Sequence, residues 1–328
     1  MKCKGRIACA AIGAGLALGA ASLALAQDAW PSRVMRMVVG TTPGQASDIL
    51  ARVYADELAK SLGQAMIVDN KPGAGGTIAA EFAARSPADG YTIYFGSSGP
   101  LVIAPHLYSK IRYHPVSDFE PVGDLGVTPM VLVVGANSPY KTIGDLIAAG
   151  RGEKGSSINY GSTPSGNTQH LAMELFKAAT GTKFTQVPYK GSVESITGLL
   201  GNFVEVSIDT TTATLAYLRS GKLNALAVST RSRLPDIVPN VPAIAETVPG
   251  FEAVAWSLFL VPKGTPDPIV KRLGVEFQRL NALSAMKDRL TAMGVVASNR
   301  PAAELKPFIE RELAVWGKAV KLSGAVIE

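Results

Sequence analysis

The stretch MRMVVGTTPGQASDILARVYADELAKSLG, residues 35–63, decides the fold class of this chain. It opens with a short apolar run, passes through a loop of small polar residues, and ends in an amphipathic helical stripe that Gly63 terminates. The same order of strand, polar loop and helical stripe recurs along the chain from Val34 onward. This alternation predicts βα units, and therefore an α/β fold with mostly parallel sheets.

Two long apolar stretches, residues 122–134 and 253–261, differ from these units. The first is longer than a typical strand needs to be. We interpret both as strands that cross between two lobes, and two such crossings make a hinge. This interpretation predicts that residues 27–125 and 255–328 form lobe 1 and that residues 126–254 form lobe 2.

The first 26 residues have the three parts of a secretory signal peptide. Three basic side chains precede a continuous apolar run from Ile7 to Leu25, and Ala24-Leu25-Ala26 provides a small-x-small cleavage site before Gln27. We therefore predict an exported mature chain, with the bacterial periplasm as its compartment. No later segment has the roughly 18 to 20 unbroken apolar residues that a membrane span requires.

Composition excludes several classes of protein. The chain is 47% hydrophobic and 18% charged, which excludes a disordered protein. Its formal charge of +6 includes the three leader cations, and the remaining chain has 29 basic and 26 acidic residues without a basic cluster beside stacking aromatics. Nucleic acid is therefore not an expected partner. Both cysteines, Cys3 and Cys9, lie in the leader, so the mature chain has no disulfide and no thiolate metal site.

Signatures of catalysis and cofactor binding are weak. The three histidines lack the spacing of a helical zinc site, and no Gly-x-Ser-x-Gly nucleophile elbow occurs. The glycine-rich run at 73–76 lacks the third glycine of a dinucleotide loop. We predict a protein that is not an enzyme, with no catalytic residue, no metal and no cofactor. His170 is interpreted as a solvated or capping imidazole, with a ligand-facing donor as the alternative.

The loops that follow the predicted strands share small, polar and almost uncharged side chains. Ligands of open α/β sheets bind outside the carboxyl ends of the strands, where the unpaired N–H groups of helix N-termini suit an anion. We therefore predict that backbone amides and hydroxyls, rather than arginine, hold the ligand. The candidate binding residues are Thr41, Thr42, Gln45, Ser47, Ser97, Ser98, Ser162, Thr163, Asn167, Thr168 and Asp209.

A structural role is the alternative for each of these residues. Ser, Thr and Asn at strand-to-helix junctions are ordinary helix caps, and Asp48 is interpreted as a cap that braces the first loop. Asp209 either faces the cleft or has a structural role, because a carboxylate at a strand end must find several hydrogen bonds. In a charged mechanism Lys190 or Arg52 would hold the ligand, although the loop-tip position of Lys190 favours a solvated role.

Seven motifs follow one another over nearly the whole mature chain. They are WPSR (30–33), NKPGAGG (70–76), ADGYT (88–92), NYGS (159–162), TQHL (168–171), VPYKG (187–191) and LNALAV (223–228). Together they resemble the solute-binding receptors of tripartite tricarboxylate transporters, also called Bug receptors. The resemblance implies a two-lobed periplasmic-binding-protein (Venus flytrap) fold. It further implies a receptor that captures a small organic carboxylate between its lobes and delivers it to a separate membrane permease.

The first loop departs from that family pattern. Family members usually have Gly-Phe-Pro-Pro-Gly-Gly, whereas residues 40–45 here are Gly-Thr-Thr-Pro-Gly-Gln. The change makes this wall more polar, so we expect a hydroxylated acid or another ligand with extra hydrogen-bond donors. We expect a monomer. The alternatives are an exported sensor or adaptor receptor, and an exported hydrolase or lyase on the same architecture.

Overall fold

The computed structural model describes residues 30–163 and 166–325. The predicted leader, residues 1–26, and the predicted mature N-terminus at Gln27 lie outside the described residues. The strands are β1 Met35–Val39, β2 Met66–Asn70, β3 Thr92–Ser97, β4 Phe119–Thr128, β5 Met130–Gly135, β6 Asn159–Ser162, β7 Thr185–Pro188, β8 Val206–Thr210, β9 Leu223–Val228, β10 Ala255–Pro262 and β11 Val296–Ala297.

Helices connect most of these strands. They are α1 Ala46–Leu62, α2 Thr77–Ala84, α3 Ala104–Leu107, α4 Ile143–Arg151, α5 Thr168–Thr180, α6 Ser192–Leu200, α7 Thr211–Arg219, α8 Ile244–Thr247, α9 Asp267–Ala282, α10 Ser284–Ala292 and α11 Ala302–Ser323. Short helical turns cover Ala74–Gly76, Gly99–Ile103 and Gly155–Ser157.

The strands form two sheets, with the order β11-β4-β10-β3-β1-β2 in the first and β7-β6-β8-β5-β9 in the second. Strand β1 pairs in parallel with β2 and β3, and β6 pairs in parallel with β7 and β8. The strands β4, β5, β10 and β11 pair antiparallel with their neighbours. The predicted two-lobed α/β fold is confirmed, but the sheets are mixed rather than mostly parallel. The reason is that the strands next to the lobe crossings run antiparallel to the neighbouring strands of the βα units.

The first βα unit forms as its sequence predicts. Strand β1 lies between β2 and β3 and is covered on both faces, as is usual for parallel strands. Met37 packs in one core cluster with Tyr54 of α1, whereas the next residue, Val38, packs in the opposite cluster with Tyr94. Helix α1 ends at Gly63, whose left-handed φ of 71° suits a residue without Cβ.

Two connections join the sheets. Strand β4 of the first sheet is separated by Pro129 alone from β5 of the second, and β10 later returns the chain to the first sheet. Gly126 lies just before this crossing with a φ of +116°, and a Cβ there would collide with the carbonyl oxygen of Val296. Only glycine fits that position. The predicted lobe boundaries and the hinge motion stay predictions.

Contacts beside the crossings join the layers of the two sheets. Leu171 of α5, a helix of the second sheet, packs in a core cluster with Ile309 and Trp316 of α11. The hydroxyl of Thr211, at the start of α7, donates to the carbonyl oxygens of Pro129 and Gly294. Side-chain packing and hydrogen bonds therefore both link the two layers beside the crossing.

Candidate ligand-binding site

The strand-end loops of both sheets lie at the lobe boundary, and the strand register shows why. Ser97, the last residue of β3, pairs with Ser257 near the start of β10, and β4 ends beside that start. In the second sheet Met130, the first residue of β5, pairs with Thr210, the last residue of β8. Because only Pro129 separates β4 from β5, the carboxyl-terminal edges of the parallel strands of both sheets meet at one crossing. This is the place where open α/β sheets bind ligands.

A buried carboxylate braces the first loop of lobe 1. Oδ2 of Asp48 accepts hydrogen bonds from the Gly44 N–H at 2.8 Å and from Arg52 Nε at 3.0 Å. Oδ1 accepts from Arg52 Nη2 at 2.8 Å and from Asn70 Nδ2 at 2.9 Å, and the Asn70 amide also donates to the Thr41 carbonyl at 2.9 Å. The interpretation of Asp48 as a loop brace is therefore confirmed, and the Arg52 guanidinium is already paired.

The pKa of Asp48 reflects these contacts. Burial by itself would raise the pKa, but the hydrogen bonds from Arg52, Gly44 and Asn70, together with the Arg52 charge, outweigh burial. The pKa therefore lies below its usual value, and Asp48 is ionised at neutral pH.

The braced loop presents polar groups at the N-terminus of α1. Thr42 and Gln45 are exposed and Ser47 is half-buried, whereas the Thr41 hydroxyl is buried and has no hydrogen-bond partner among the described residues. The Gln45 side chain immediately precedes α1 but does not cap it. The N–H groups of the first helical turn have no intrahelical acceptor and lie at the positive end of the helix dipole. The loop therefore offers amide and hydroxyl donors to an anion.

Ser97 and Ser98 lie at the same sheet edge as Thr41. Strands β1 and β3 are parallel neighbours, with Val39 opposite Phe95, so the residues two positions later also lie side by side. Ser97 is half-buried, and Ser98 is buried just before the helical turn that follows β3.

The hydroxyls of Ser162 and Thr163 are already used inside lobe 2. Ser162 Oγ donates to the Thr163 carbonyl at 2.8 Å and accepts from Gln186 Nε2 at 2.8 Å. Thr163 Oγ1 donates to Gln169 Oε1 at 3.0 Å. Both residues are buried. These two hydroxyls therefore hold the end of β6 in place.

The loop before α5 is held by a histidine. The Gly166 N–H donates to His170 Nδ1 at 3.0 Å, and His170 Nε2 lies 3.9 Å from Glu174 Oε1. Burial lowers the pKa of His170, and Glu174 only partly offsets it. The imidazole is buried rather than solvated, so of the two structural roles only the capping one remains. Two predicted contacts flank this point: Asn167 is half-buried and Thr168, the first residue of α5, is buried.

Asp209 lies where three helices of lobe 2 begin. Its Oδ1 accepts from Ser192 Oγ at 2.8 Å, from the Thr210 N–H at 2.7 Å and from Gln169 Nε2 at 3.2 Å. Its Oδ2 is buried and has no hydrogen-bond partner among the described residues. Burial raises the pKa of Asp209, and the hydrogen bonds from Ser192, Thr210 and Gln169 offset this only in part.

The structure adds three polar residues to those predicted from sequence. Gln169 and Ser192 orient Asp209, and Thr212, in the first turn of α7, has a buried hydroxyl without a partner among the described residues. Ser192 and Thr212 follow strand ends, so the rule that identified the other loops applies to them as well. Gln169 has no such signal, because it lies inside α5 and its contact with Asp209 joins residues that are 40 positions apart.

Positive charge plays little part in these loops. Arg52 is bound by Asp48, and Lys190 is exposed, with its backbone N–H donating to Glu194 Oε2 at 3.1 Å. Within residues 30–163 and 166–325, no cluster of three His, Cys, Asp or Glu could hold a metal ion. In the same part of the chain, no helix combines the length and apolarity needed to span a membrane.

The fold is that of the two-lobed periplasmic binding proteins. The structure of the periplasmic binding protein BugD is 31% identical and covers 91% of this chain and 100% of its own, with a TM-score of 0.80. The family model for the tripartite tricarboxylate transporter family receptor matches residues 50–324. This chain belongs to that receptor family.

Other relatives agree with this assignment. Protein BugT of Bordetella pertussis is 33% identical over 321 residues, which cover 97% of this chain and 98% of BugT. The structure of R. palustris Rpa4515 with adipate is 34% identical, with a TM-score of 0.83 over 90% of this chain and 99% of Rpa4515. MatC from Rhodopseudomonas palustris with bound malate is 29% identical, with a TM-score of 0.78 over 89% of this chain and 100% of MatC.

Proposed function

We propose that this chain is a periplasmic receptor that captures a small organic carboxylate between its lobes and delivers it to the membrane permease of a tripartite transporter. The observation that carries the proposal is the meeting of the carboxyl-terminal edges of both sheets at one crossing, with helix N-termini on each side. The relatives with adipate and malate support a carboxylate as the ligand class. The mature chain acts as a monomer without catalysis, metal or cofactor.

The carboxylate is held by hydrogen bonds rather than by an ion pair. The first-turn amides of α1 and α5 and the hydroxyls of Thr41 and Ser47 donate to it from the two lobes. Asp48 supports this arrangement indirectly, since it holds the Gly44 N–H and Arg52 and thereby fixes the loop. Gln45, Ser97, Ser98, Asn167 and Thr168 line the same boundary.

Binding closes the lobes about the crossings near Gly126 and Ser257. A ligand that contacts both lobes has higher affinity for the closed state and therefore shifts the population towards it. Small-angle scattering is expected to show a smaller radius of gyration at saturation with a verified ligand. An unchanged radius would contradict the flytrap motion.

Two measurements test the function itself. Native mass spectrometry of the protein purified from its host identifies any retained ligand, which we expect to be an organic acid. Calorimetric titration then compares adipate with its uncharged diamide, which keeps the chain length and removes both charges. We expect heat of binding for the acid alone. Equal binding of adipate and its diamide would refute a carboxylate receptor. So would a failure of adipate and of a wider panel of mono- and dicarboxylates to bind.

A further inference from the structure

The unused oxygen of Asp209 is the strongest unassigned feature of the lobe boundary. The side chain is fully buried, and three donors converge on Oδ1. The Thr210 hydroxyl also helps to lower the pKa of the carboxyl group, but no described residue forms a hydrogen bond with Oδ2. A buried polar atom without a partner is costly, and native proteins rarely leave one without reason. A ligand that donates a hydrogen bond to Oδ2 would remove that cost.

The neighbourhood of Asp209 restricts what this donor can be. Thr212, three residues later in the first turn of α7, also has a buried hydroxyl without a partner among the described residues. Thr41, in the strand-end loop of the first sheet, has another. A threonine hydroxyl can both donate and accept, whereas a carboxylate only accepts. A ligand hydroxyl matches this mixed set, because it can donate to Asp209 and accept from a threonine. An ammonium group has no lone pair to accept with.

We propose that the ligand is a hydroxy acid whose hydroxyl group donates a hydrogen bond to Asp209 Oδ2. This inference rests on the proposed function, since it assumes that a carboxylate binds at the lobe boundary. Gln169, Ser192 and the Thr210 N–H act as positioning groups, because they fix Oδ1 and thereby the direction of Oδ2. Asp209 is then the residue that determines specificity among carboxylates of equal length.

The test uses four-carbon dicarboxylates that differ in one substituent. Succinate, malate, tartrate and aspartate are titrated calorimetrically into the ligand-free mature chain at neutral pH. We expect malate or tartrate to bind about tenfold more tightly than succinate, the size of effect that one hydrogen bond to a charged group produces. Tighter binding of succinate or of aspartate than of both hydroxy acids would overturn the proposal.

Variants then locate the preference. In Asp209→Asn, which keeps the side-chain size, we expect the advantage of the hydroxy acid over succinate to fall to about threefold or less, since hydrogen bonds to neutral groups are weaker. Asp48→Asn is the matched control: it also neutralises a buried carboxylate, but both oxygens of Asp48 are already bonded within the protein. The control is expected to weaken all ligands by a similar factor. A ratio unchanged in Asp209→Asn, or lost equally in Asp48→Asn, would overturn the proposal.

Two further results keep the outcome decisive. If circular dichroism shows that Asp209→Asn does not fold, Thr212→Val is tested in its place. In Thr212→Val, the affinity advantage of the hydroxy acid over succinate is expected to fall about threefold or more, because the neighbouring hydroxyl is lost. An unchanged ratio in that variant counts against the proposal. If succinate and adipate bind as tightly as malate, the carboxylate receptor stands and only the hydroxy-acid inference fails. If neither these acids nor the wider panel of mono- and dicarboxylates binds, the proposed function fails first.

Discussion

Replacing Asp48 by asparagine tests whether the first loop depends on its buried brace. The wild-type carboxylate accepts four hydrogen bonds, two of them from Arg52, and an asparagine offers one oxygen and one NH₂ group in the same space. The new NH₂ group would face donors instead of accepting from them. Hydrogen bonds to a charged group contribute about 1.5–3 kcal/mol net, and exposure of about half of the Arg52 side chain reduces the contribution of its pair.

We therefore expect Asp48→Asn to lower the free energy of unfolding by about 2 kcal/mol, a large part of the roughly 5–15 kcal/mol that holds a domain together. Urea denaturation at neutral pH measures this loss. Affinity for the identified ligand is expected to fall about tenfold, since the freed loop must be ordered on binding.

Asp145→Asn is the control for this experiment. Asp145 also accepts from two backbone N–H groups, those of Lys141 and Thr142, but it caps α4 on the exposed surface, away from the strand-end loops. This variant is expected to lose less stability and to keep wild-type affinity. Wild-type stability and affinity in Asp48→Asn would refute the argument that this carboxylate organises the loop.

The stability difference between wild type and Asp48→Asn is expected to depend on pH. The pKa of Asp48 is lower in the folded than in the unfolded state. Its stabilisation is therefore complete above the unfolded-state value of about 4, and it is lost as the pH falls through the folded-state value. The stability difference between wild type and Asp48→Asn is expected to shrink below about pH 4.

Four further predictions concern the remaining loops and the leader. Gly44 has a φ of +84°, and no described atom beyond its two chain neighbours lies within 4 Å of the place a Cβ would take. Gly44→Val is therefore expected to cost about 1–2 kcal/mol through backbone strain alone and to weaken ligand binding measured by calorimetry. Ser162→Ala is expected to lower thermal stability while changing affinity less than Gly44→Val does, because its hydroxyl bonds to the protein. Lys190→Ala, at an exposed position, is expected to keep affinity within about twofold, the scale of a surface charge; loss of binding with the fold intact would instead favour the charged mechanism. Intact-mass measurement of the exported protein is expected to show an N-terminus at Gln27 without a lipid, and an acylated species that retains Cys9 would contradict this.

Local sequence predicts the units of this fold well. The β1–α1 unit, the glycine that ends α1 and the long apolar stretches at the crossings all follow from patterns within about 30 residues. The directions of the crossing strands do not follow from such patterns. Their antiparallel pairing depends on which strands become neighbours in the sheet, and β10 pairs with β3 and β4, which are more than a hundred residues away.

The candidate site also contains some residues whose roles follow from local sequence and others whose roles depend on the tertiary fold. Asp48 could be assigned from sequence because its partner Gly44 is four residues away and belongs to the same loop. From sequence alone, Ser162 and Thr163 cannot be distinguished from Thr41, because all three carry hydroxyl groups in strand-end loops. In the folded chain the hydroxyl of Ser162 accepts a hydrogen bond from Gln186 and that of Thr163 donates one to Gln169. A hydroxyl in a loop becomes available to a ligand only when no such partner reaches it.

The two buried carboxylates of the boundary suit opposite parts of a ligand. The charge of Asp48 is balanced by Arg52, so an anion beside the α1 N-terminus meets a locally neutral loop. Asp209 has no cation among its hydrogen-bond partners in the described part of the chain. Burial already raises the pKa of Asp209. A ligand carboxylate about 4 Å from the ionised form of Asp209 would cost about 4 kcal/mol more at an effective dielectric constant near 20, which exceeds what one hydrogen bond returns. A hydroxy acid avoids this cost if its carboxylate lies against the α1 loop and its hydroxyl end reaches Asp209. Bound in that direction, the ligand contacts both lobes, and lobe closure then depends on both ends of the ligand.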